Sequence, residues 1–263
     1  MQRVAKFRFS LGKPQLFAMV VASVLVVGAM LWPSPSVDVQ PPAQASEISG
    51  VTPPVIPRAN CETAKCLALT FDDGPDPLIT PQILDILKNH NVHATFFVMG
   101  KHVSGNEALL QRMHAEGHEI GNHSWDHPYF TRISLDQVHE QIDTTQEVII
   151  KAGVPAPRLF RPPYGDVNET VLAHIPLTVV RWNIDPEDWH PKRQAYLLEH
   201  MANYARPGGV VVMHDTEVTT LAQLDGLLSQ LESQQYTLTT AGDVLGVEAT
   251  QPGLYFSRFR IGL

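Results

Sequence analysis

The sequence has little of several features that mark common classes of protein. Only two of its 263 residues are cysteine, so neither a disulfide-rich framework nor a cysteine metal cluster can hold it together. It has no glycine-rich phosphate loop of the kind that binds nucleotides. Basic residues number 19 against 27 acidic ones, which argues against nucleic acid or an anionic membrane surface as the main partner.

The remaining composition is that of a globular protein with one unusual end. Hydrophobic residues make up 44% of the chain, enough for a large core. Several basic residues precede a charge-free apolar run at 16–32, which favours export over a buried core helix. We interpret residues 1–32 as a signal peptide or an N-terminal membrane anchor with the rest of the chain outside the cell. We favour the anchor, because the small-residue cleavage site at 43–45 lies far beyond the apolar run.

A change of composition marks the start of the folded domain. Residues 33–60 contain seven prolines and little periodicity, which predicts an extended, disordered linker. Cys61 and Cys66 lie where this linker ends. A lone pair of cysteines is a poor metal site, so in an oxidising compartment we expect a disulfide that closes a short loop. The predicted domain is 61–247, and 248–263 form a C-terminal tail.

Short apolar runs alternate with segments of helical periodicity through the domain. Strands are predicted at 66–71, 94–100, 118–122, 158–163, 177–184, 208–215 and 236–245. Helices are predicted at about 81–90, 107–116, 134–152, 168–174, 193–205 and 220–234. Repeated strand–helix units of this length indicate parallel strands covered by helices. The predicted fold class is therefore α/β, a distorted (β/α) barrel related to the TIM barrel.

Polar residues recur at one place in this pattern. They lie at or just past the carboxyl ends of predicted strands: Asp72 and Asp73, Asn122 and His123, Arg161, Asp185 and Asp188, and His214. Each has an ordinary structural explanation by itself, such as a turn, a surface ion pair, a helix cap or a core histidine. Because the carboxyl ends of parallel barrel strands meet on one face, their joint placement predicts an active site there.

Two pairs of histidines are spaced like metal ligands, four residues apart. His114 and His118 are separated by Gly117, which places them on different elements and argues against a shared metal ion. His123 and His127 follow a predicted strand end. One helical turn brings both of their imidazoles to the same side, a workable geometry for two metal ligands.

A metal ion held by two histidines needs a third ligand. The strand-end argument offers a carboxylate from Asp72 or Asp73, and the residues alone do not decide between the two. Two histidines, one carboxylate and an open coordination position are typical of hydrolytic zinc sites. The sequence therefore predicts a hydrolytic metal centre.

Five short motifs occur in the order and approximate spacing of a known family: TFDDGP, HSWDH, RPPYG, DPEDW and VMHD. Over about residues 61–247 the chain resembles the family-4 carbohydrate esterases, the polysaccharide deacetylases. The resemblance implies a distorted (β/α) barrel and metal-assisted removal of acetyl groups from N-acetylated sugars. It also implies Zn²⁺, or another divalent ion such as Co²⁺, as the cofactor.

The resemblance implies a role for each matching residue of the first three motifs. Asp73 resembles the carboxylate ligand of the metal ion, and His123 and His127 resemble its two imidazole ligands. Asp72 resembles the general base, and Arg161 resembles the residue that orients it and holds it ionised.

The remaining matches concern the acid and the acetyl pocket. His214 resembles the general acid, and Asp188 resembles the carboxylate that stabilises its protonated form. The backbone N–H of Tyr164 is similar to an oxyanion donor. Trp189 and Val212 resemble the walls of the pocket for the acetyl methyl group, where Val212 replaces the leucine usual in the family and slightly enlarges the pocket.

The predicted function is a metal-dependent hydrolase that removes N-acetyl groups from N-acetylglucosamine residues of a polysaccharide and releases acetate. A position just outside a membrane makes peptidoglycan the expected substrate and chitooligosaccharide the second. The alternatives are an esterase for O-acetylated polysaccharide such as acetylxylan and a non-catalytic wall-binding relative. The motifs do not separate amide from ester, whereas a non-catalytic relative usually loses the base, a ligand or the acid, all of which are present here.

Overall fold

The computed structural model describes residues 59–190, 196–246 and 253–255. The predicted anchor and almost all of the predicted linker lie outside the described residues. Within those three ranges, none of the helices has both the length and the apolar character that crossing a membrane requires.

The described residues form a parallel sheet with helices packed against it. The strands are β1 (Cys66–Asp72), β2 (Thr95–Val98), β3 (Glu119–Asn122), β4 (Leu159–Phe160), β5 (Thr178–Val180), β6 (Gly209–His214), β7 (Thr237–Thr239) and β8 (Gly253–Tyr255). The helices are α1 (Thr80–Asn89), α2 (Glu107–Ala115), α3 (Leu135–Lys151), α4 (Glu169–Leu172), α5 (Leu197–Tyr204), α6 (Val218–Ser233) and α7 (Ala241–Leu245). Short 3₁₀ turns occupy Gly100–His102, Phe130–Arg132 and Pro163–Gly165.

The strand order places the carboxyl ends of the strands along one curved edge. The order is β6-β1-β2-β3-β4-β5-β8, with β7 paired to the start of β1, and every pairing is parallel. A single bridge between Ile184 and Val211 brings the segment after β5 back toward β6. The sheet is thus a curled half-barrel, and the prediction of parallel strands covered by helices is confirmed.

Strand β1 lies at the centre of the core. All seven of its residues are buried, as expected for a parallel strand covered on both faces. Leu67, Leu69 and Phe71 pack in the cluster beneath the helices, whereas Ala68 packs with Phe97 on the opposite face. Burying one large apolar side chain contributes about 1.5–3 kcal/mol, so the strand is firmly held up to its last residue.

The segment 236–245, predicted as one strand, divides into strand β7 and helix α7. The helix begins after Thr240, whose side chain accepts a hydrogen bond from the backbone N–H of Asp243. Threonine at this position is a good N-cap, and its capping overrides the β propensity of the threonine-rich run. The prediction of a continuous strand was therefore wrong in its second half.

Strands β4 and β5 are shorter than predicted. Strand β4 has two residues, because Pro162 and Pro163 begin one residue after it and cannot donate to a ladder. Strand β5 ends at Val180, four residues before the end of the predicted run.

Both ends of the domain are attached to the sheet. Cys61 and Cys66 form the predicted disulfide, with Cα atoms 5.3 Å apart, which ties the entering chain to the start of β1. Strand β8 lies beyond residue 247, in the segment predicted as a tail, and pairs in parallel with β5. Its Leu254 and Tyr255 are buried, so this part of the tail belongs to the fold.

Candidate active site

A cavity of about 540 Å³ lies at the carboxyl edge of the sheet. Its lining includes eight of the ten residues to which the resemblance gives a role: Asp72, Asp73, His123, His127, Tyr164, Trp189, Val212 and His214. The other two, Arg161 and Asp188, are buried. Asp72 and His214 are register partners on neighbouring strands β1 and β6, so their side chains face one cavity from adjacent strand ends.

Asp73, His123 and His127 bring three ligand atoms together. Oδ1 of Asp73 lies 3.3 Å from Nε2 of His123 and 3.3 Å from Nε2 of His127. Ligand atoms about 3.3 Å apart match the edge of a tetrahedron around Zn²⁺ with bonds of about 2.0–2.1 Å. The same Oδ1 is buried without a hydrogen-bond partner, as a ligand atom reserved for a cation would be. The residues therefore fit a divalent metal ion.

The ring of His123 is oriented by a backbone group. Its Nδ1 donates to the carbonyl oxygen of Arg161 at 2.7 Å, because a carbonyl can only accept. This fixes the tautomer and leaves the lone pair of Nε2 for a metal ion, the usual arrangement behind a histidine ligand.

Charge and burial set the protonation of the three groups. Burial alone would raise the pKa of Asp73, but the close contact and charge of His123 and the charge of His127 bring it well below its usual range. Burial and the neighbouring His123 lower the pKa of His127 to about 4, so its ring is neutral near pH 7. Burial lowers the pKa of His123, but Asp72 and Asp73 outweigh it and the net shift is upward, so a cation and a proton compete for this ring.

The other candidate pair, His114 and His118, does not share this geometry. Among the described residues, the one cluster with metal-ligand spacing is that of Asp73, His123 and His127. His118 instead accepts a hydrogen bond from the backbone N–H of Ala94 at the amino ends of the strands.

Asp72 is held by a buried arginine. Its Oδ1 accepts from Nη1 of Arg161 at 2.7 Å, and both side chains are almost completely buried. The guanidinium also donates to Thr70 and to the carbonyl oxygens of Val180 and Arg181, so its orientation is fixed. Asp72 therefore presents its other oxygen, which lies 3.9 Å from Nε2 of His123.

His214 and Asp188 form the second charged pair. Nδ1 of His214 lies 2.8 Å from Oδ1 of Asp188, and Oδ2 of Asp188 accepts from the His214 N–H and from the hydroxyl of Thr220. Burial by itself lowers the pKa of His214, but the hydrogen bond and charge of Asp188 raise it to about 9. The ring is thus protonated near neutral pH, with Nε2 as its remaining donor.

The side walls of the cavity are aromatic and apolar. Trp189 and Tyr164 are about half exposed, whereas Val212 on β6 is buried at the cavity floor. The ring of Tyr164 packs edge-on against His127 and stacks on Tyr129, with centroids 4.4 and 4.0 Å apart. These contacts place apolar surface beside the metal ligands.

Strained backbone is concentrated around the cavity. Five non-glycine residues with positive φ angles all lie within the sequence motifs: Asp73, Ser124, His127, Tyr164 and Glu187. The two other cases among the described residues, Asn91 and Gln235, follow the ends of α1 and α6, where left-handed residues are common. Such strain costs about 1–3 kcal/mol per residue and is typical of functional sites.

Three further residues line the cavity, and the family resemblance implied no role for any of them. Trp182 and Asp185 lie just after β5, joined by a hydrogen bond from Nε1 of Trp182 to Oδ2 of Asp185 at 3.2 Å. Glu217 precedes α6 and also lines the cavity. The strand-end rule indicated Asp185, whereas Trp182 and Glu217 have no spacing that distinguishes them from core and surface residues.

A curled parallel sheet with an aspartate, two histidines and an acid–base pair at its carboxyl edge is typical of metal-dependent α/β hydrolases. The family pattern for polysaccharide deacetylase matches residues 59–178. A chitooligosaccharide deacetylase from Bradyrhizobium is 42% identical over 151 residues, 56% of this chain and 69% of the relative. The chain belongs to the polysaccharide deacetylase family.

Further comparisons agree with this family. The peptidoglycan-N-acetylglucosamine deacetylase PgdA of Listeria monocytogenes is 41% identical over 210 residues, covering 80% of this chain but only 45% of PgdA. The solved structure of the peptidoglycan deacetylase PdaC from Bacillus subtilis is 41% identical with a TM-score of 0.67, covering 69% of this chain and 90% of that one. An acetyl xylan esterase from Clostridium thermocellum, solved with a cobalt ion, is 34% identical with a TM-score of 0.69, covering 73% and 98%.

Proposed function

We propose that the protein is a metal-dependent deacetylase that removes N-acetyl groups from N-acetylglucosamine residues of a polysaccharide and releases acetate. The observation that carries the proposal is the division of the cavity into two charged pairs around one cluster of metal ligands. One pair is Asp72 with Arg161, and the other is His214 with Asp188. Amide hydrolysis needs such a base for the attacking water and a separate acid for the departing nitrogen.

Asp73, His123 and His127 are the residues that would hold the metal ion, with Zn²⁺ as the first choice. A bound divalent cation supplies a Lewis acid that polarises a carbonyl oxygen and lowers the pKa of water. The compact, partly buried cluster of one carboxylate and two imidazoles supports this assignment.

Asp72 acts as the general base in this proposal. It accepts the proton of the attacking water through the oxygen that Arg161 leaves free. Arg161 compensates the negative charge of Asp72 and prevents the carboxylate from rotating. The guanidinium can do this because its other hydrogen bonds, to β1 and to the end of β5, hold it in place.

The backbone N–H of Tyr164 donates to the oxyanion that develops on the acetyl group. A fixed donor aimed at developing charge is worth about 2.7–4 kcal/mol in related chemistry. The left-handed backbone at Tyr164, with φ 58°, supports a fixed orientation of this segment.

His214 completes the reaction by giving its Nε2 proton to the departing nitrogen. Asp188 supports the acid because it holds Nδ1 and stabilises the imidazolium. Trp189 and Val212 would enclose the acetyl methyl group, and valine leaves room for a small acyl group beside the aromatic wall.

Peptidoglycan is the proposed substrate and chitooligosaccharide the second. Sequence similarity to a peptidoglycan deacetylase and to a chitooligosaccharide deacetylase supports both. The chain spans less than half of PgdA, so the substrate of that longer relative does not transfer directly. Esterase activity on acetylxylan is the alternative function, favoured by the structural similarity to an acetyl xylan esterase.

The test is acetate release from peptidoglycan, chitooligosaccharides and acetylxylan, each with and without a chelator. We expect chelator-sensitive release from the two N-acetylated substrates. Faster release from acetylxylan would favour the esterase, and no chelator-sensitive release from any of the three would favour a non-catalytic wall-binding protein.

We further propose that the chain is exported and anchored by its apolar N-terminal segment, or secreted if that segment is cleaved. The disulfide between Cys61 and Cys66 supports an oxidising compartment, since such bonds are rare in the cytosol. Recovery of the full chain in the membrane fraction, accessible to external protease, would support the anchor; recovery in the medium would support cleavage.

A further inference from the structure

The peptide group between Asp73 and Gly74 is held at both of its ends. Its carbonyl oxygen accepts a hydrogen bond from Nδ1 of His102 at 2.8 Å. Its N–H, that of Gly74, donates to Oδ1 of Asp215 at 3.0 Å. The following carbonyl, that of Gly74, accepts from the Met99 N–H at 2.9 Å. Three separate segments of the chain therefore hold this turn.

Asp215 is a buried carboxylate with a partner on each oxygen. Its second oxygen accepts from the hydroxyl of Thr80 at 2.6 Å, and that hydroxyl in turn accepts from the Asp76 N–H at 2.8 Å. A Cβ at Gly74 would lie only 2.1 Å from Oδ2 of Asp215, so this close approach requires glycine. Asp215, the residue that follows β6, therefore packs directly against the turn that follows β1.

This turn decides where the carboxylate of Asp73 points. In a regular strand, successive side chains face opposite sides, so Asp73 would point away from the cavity that Asp72 faces. The left-handed backbone at Asp73, with φ 75°, breaks that alternation. Such a conformation is costly outside glycine and persists only where neighbouring groups enforce it.

We infer that Asp215 and His102 are positioning residues for the metal centre: by holding the peptide between Asp73 and Gly74, they keep the Asp73 carboxylate aimed at His123 and His127. The inference rests on the metal centre of the proposed function. No role was predicted for Asp215 or His102 from the sequence, and neither lines the cavity. Their effect passes through the backbone to the ligand, as groups behind metal ligands commonly act.

Zinc affinity of the full chain, measured by competition with a chromophoric chelator, tests this inference. Asp215→Ala removes the acceptor for Gly74, and we expect the Zn²⁺ dissociation constant to rise by about 10- to 100-fold. Asp215→Asn keeps an acceptor oxygen for Gly74, and Thr80 can turn its hydroxyl toward the Asp215 carbonyl, 3.3 Å away. We therefore expect Asn to restore most of the affinity.

The chain offers a matched control at the other end of the sheet. Glu119 accepts from the Gly242 N–H at 2.9 Å and from the hydroxyl of Thr95 at 2.8 Å, the same two kinds of donor that Asp215 has. Glu119→Ala should lower the melting temperature and leave the Zn²⁺ dissociation constant unchanged. His102→Ala removes the hold on the carbonyl side and should weaken Zn²⁺ binding even if Asp215→Ala fails to fold.

Two results would overturn the inference. One is wild-type Zn²⁺ affinity in folded Asp215→Ala and His102→Ala; the other is an equal loss of affinity in Glu119→Ala, which would indicate a general loss of stability. Acetate release by the wild-type chain is a separate readout. Its absence would refute the proposed activity but not the comparison of Zn²⁺ affinities.

Discussion

Asp72 and Asp73 are neighbours in the sequence, yet their surroundings assign them different chemistry. Asp72 ends β1 in a buried ion pair with Arg161, which compensates its charge inside the protein. Asp73 has no such cation; its free oxygen faces His123 and His127 instead. The repulsion between adjacent carboxylates is thus relieved by an arginine for one and, in our proposal, by a metal ion for the other.

The two aspartates should separate binding from catalysis. We expect Asp72→Asn to lower kcat by about 10²- to 10⁴-fold with Zn²⁺ still bound, because the amide cannot accept the proton of water. Asp73→Ala should lose both Zn²⁺ and activity. Acetate release and zinc competition measure the two effects, and Asp136→Asn on the surface of α3 controls for the loss of charge. Near wild-type turnover by Asp72→Asn would show that the base is another group.

The pH dependence of the reaction should report on His214. Asp188 raises the pKa of His214 to about 9 despite burial, so the acid form, and the stabilising ion pair, are fully present below about 6.5 and lost as pH rises through 9. We expect kcat/KM to fall above pH 9. Asp188→Asn removes the charge that favours the imidazolium and should move this alkaline limb down by roughly one unit or more. An unmoved limb would show that another group titrates there.

The sequence predicted most of the residues that face the cavity, but it predicted only some of the residues that hold them in position. Strand-end placement pointed to Asp72, Asp73 and His214 because parallel strands align their carboxyl ends whatever lies between them. Asp215 also ends a predicted strand, but that position does not reveal that it holds the turn after β1, and Glu217 carries no strand-end signal. Their significance depends on distances between β1 and β6 that only tertiary packing defines.

Helix α3 illustrates how an element can hold a site from outside. It begins with a capping box, in which Ser134 accepts from the Gln137 N–H while the Gln137 side chain accepts from the Ser134 N–H. One turn later, Oε1 of Gln141 accepts from the N–H groups of Trp125 and Asp126, at 2.8 and 3.1 Å. The helix therefore supports the loop between the two histidine ligands.

The capping box should contribute to stability without taking part in catalysis. Ser134→Ala removes the acceptor for the Gln137 N–H, and we expect the free energy of unfolding to fall by about 1 kcal/mol with an unchanged m-value. Denaturant unfolding measures this change. Ser233→Ala at the last turn of α6 is the matched control and should change stability by less than about 0.5 kcal/mol. Equal losses in the two variants would contradict a capping role.

Element boundaries were predictable where the signal is local. The predicted start of α3 at about residue 134 was confirmed, and the structure adds a capping box between Ser134 and Gln137, three residues later. The end of β5 was not predictable, because strand length depends on which neighbour is available for pairing. The pairing of β8 with β5 likewise depends on contacts across the whole fold.

At the scale of the molecule, the proposed metal ion would link two loops at the carboxyl edge of the half-barrel. Among the described residues, β6 meets the segment after β5 only through the bridge between Ile184 and Val211, so a full strand ladder does not close the carboxyl rim there. The proposed metal ligands come from the turn after β1 and the loop after β3, with β2 between them. A bound ion would therefore cross-link loops that the sheet connects only through a third strand.

This cross-link predicts that stability depends on the metal ion. A ligand that binds only the folded state stabilises it by about 2.7 kcal/mol at one hundred times its dissociation constant, so Zn²⁺ should raise the melting temperature and a chelator should lower it. Asp73→Ala should abolish the Zn²⁺-dependent shift. His114→Ala should retain it, because that histidine lies outside the ligand cluster. The measurement is the melting temperature of the wild type and of the two variants with Zn²⁺ or with chelator. A shift that is lost in His114→Ala and kept in Asp73→Ala would show that the ion binds elsewhere.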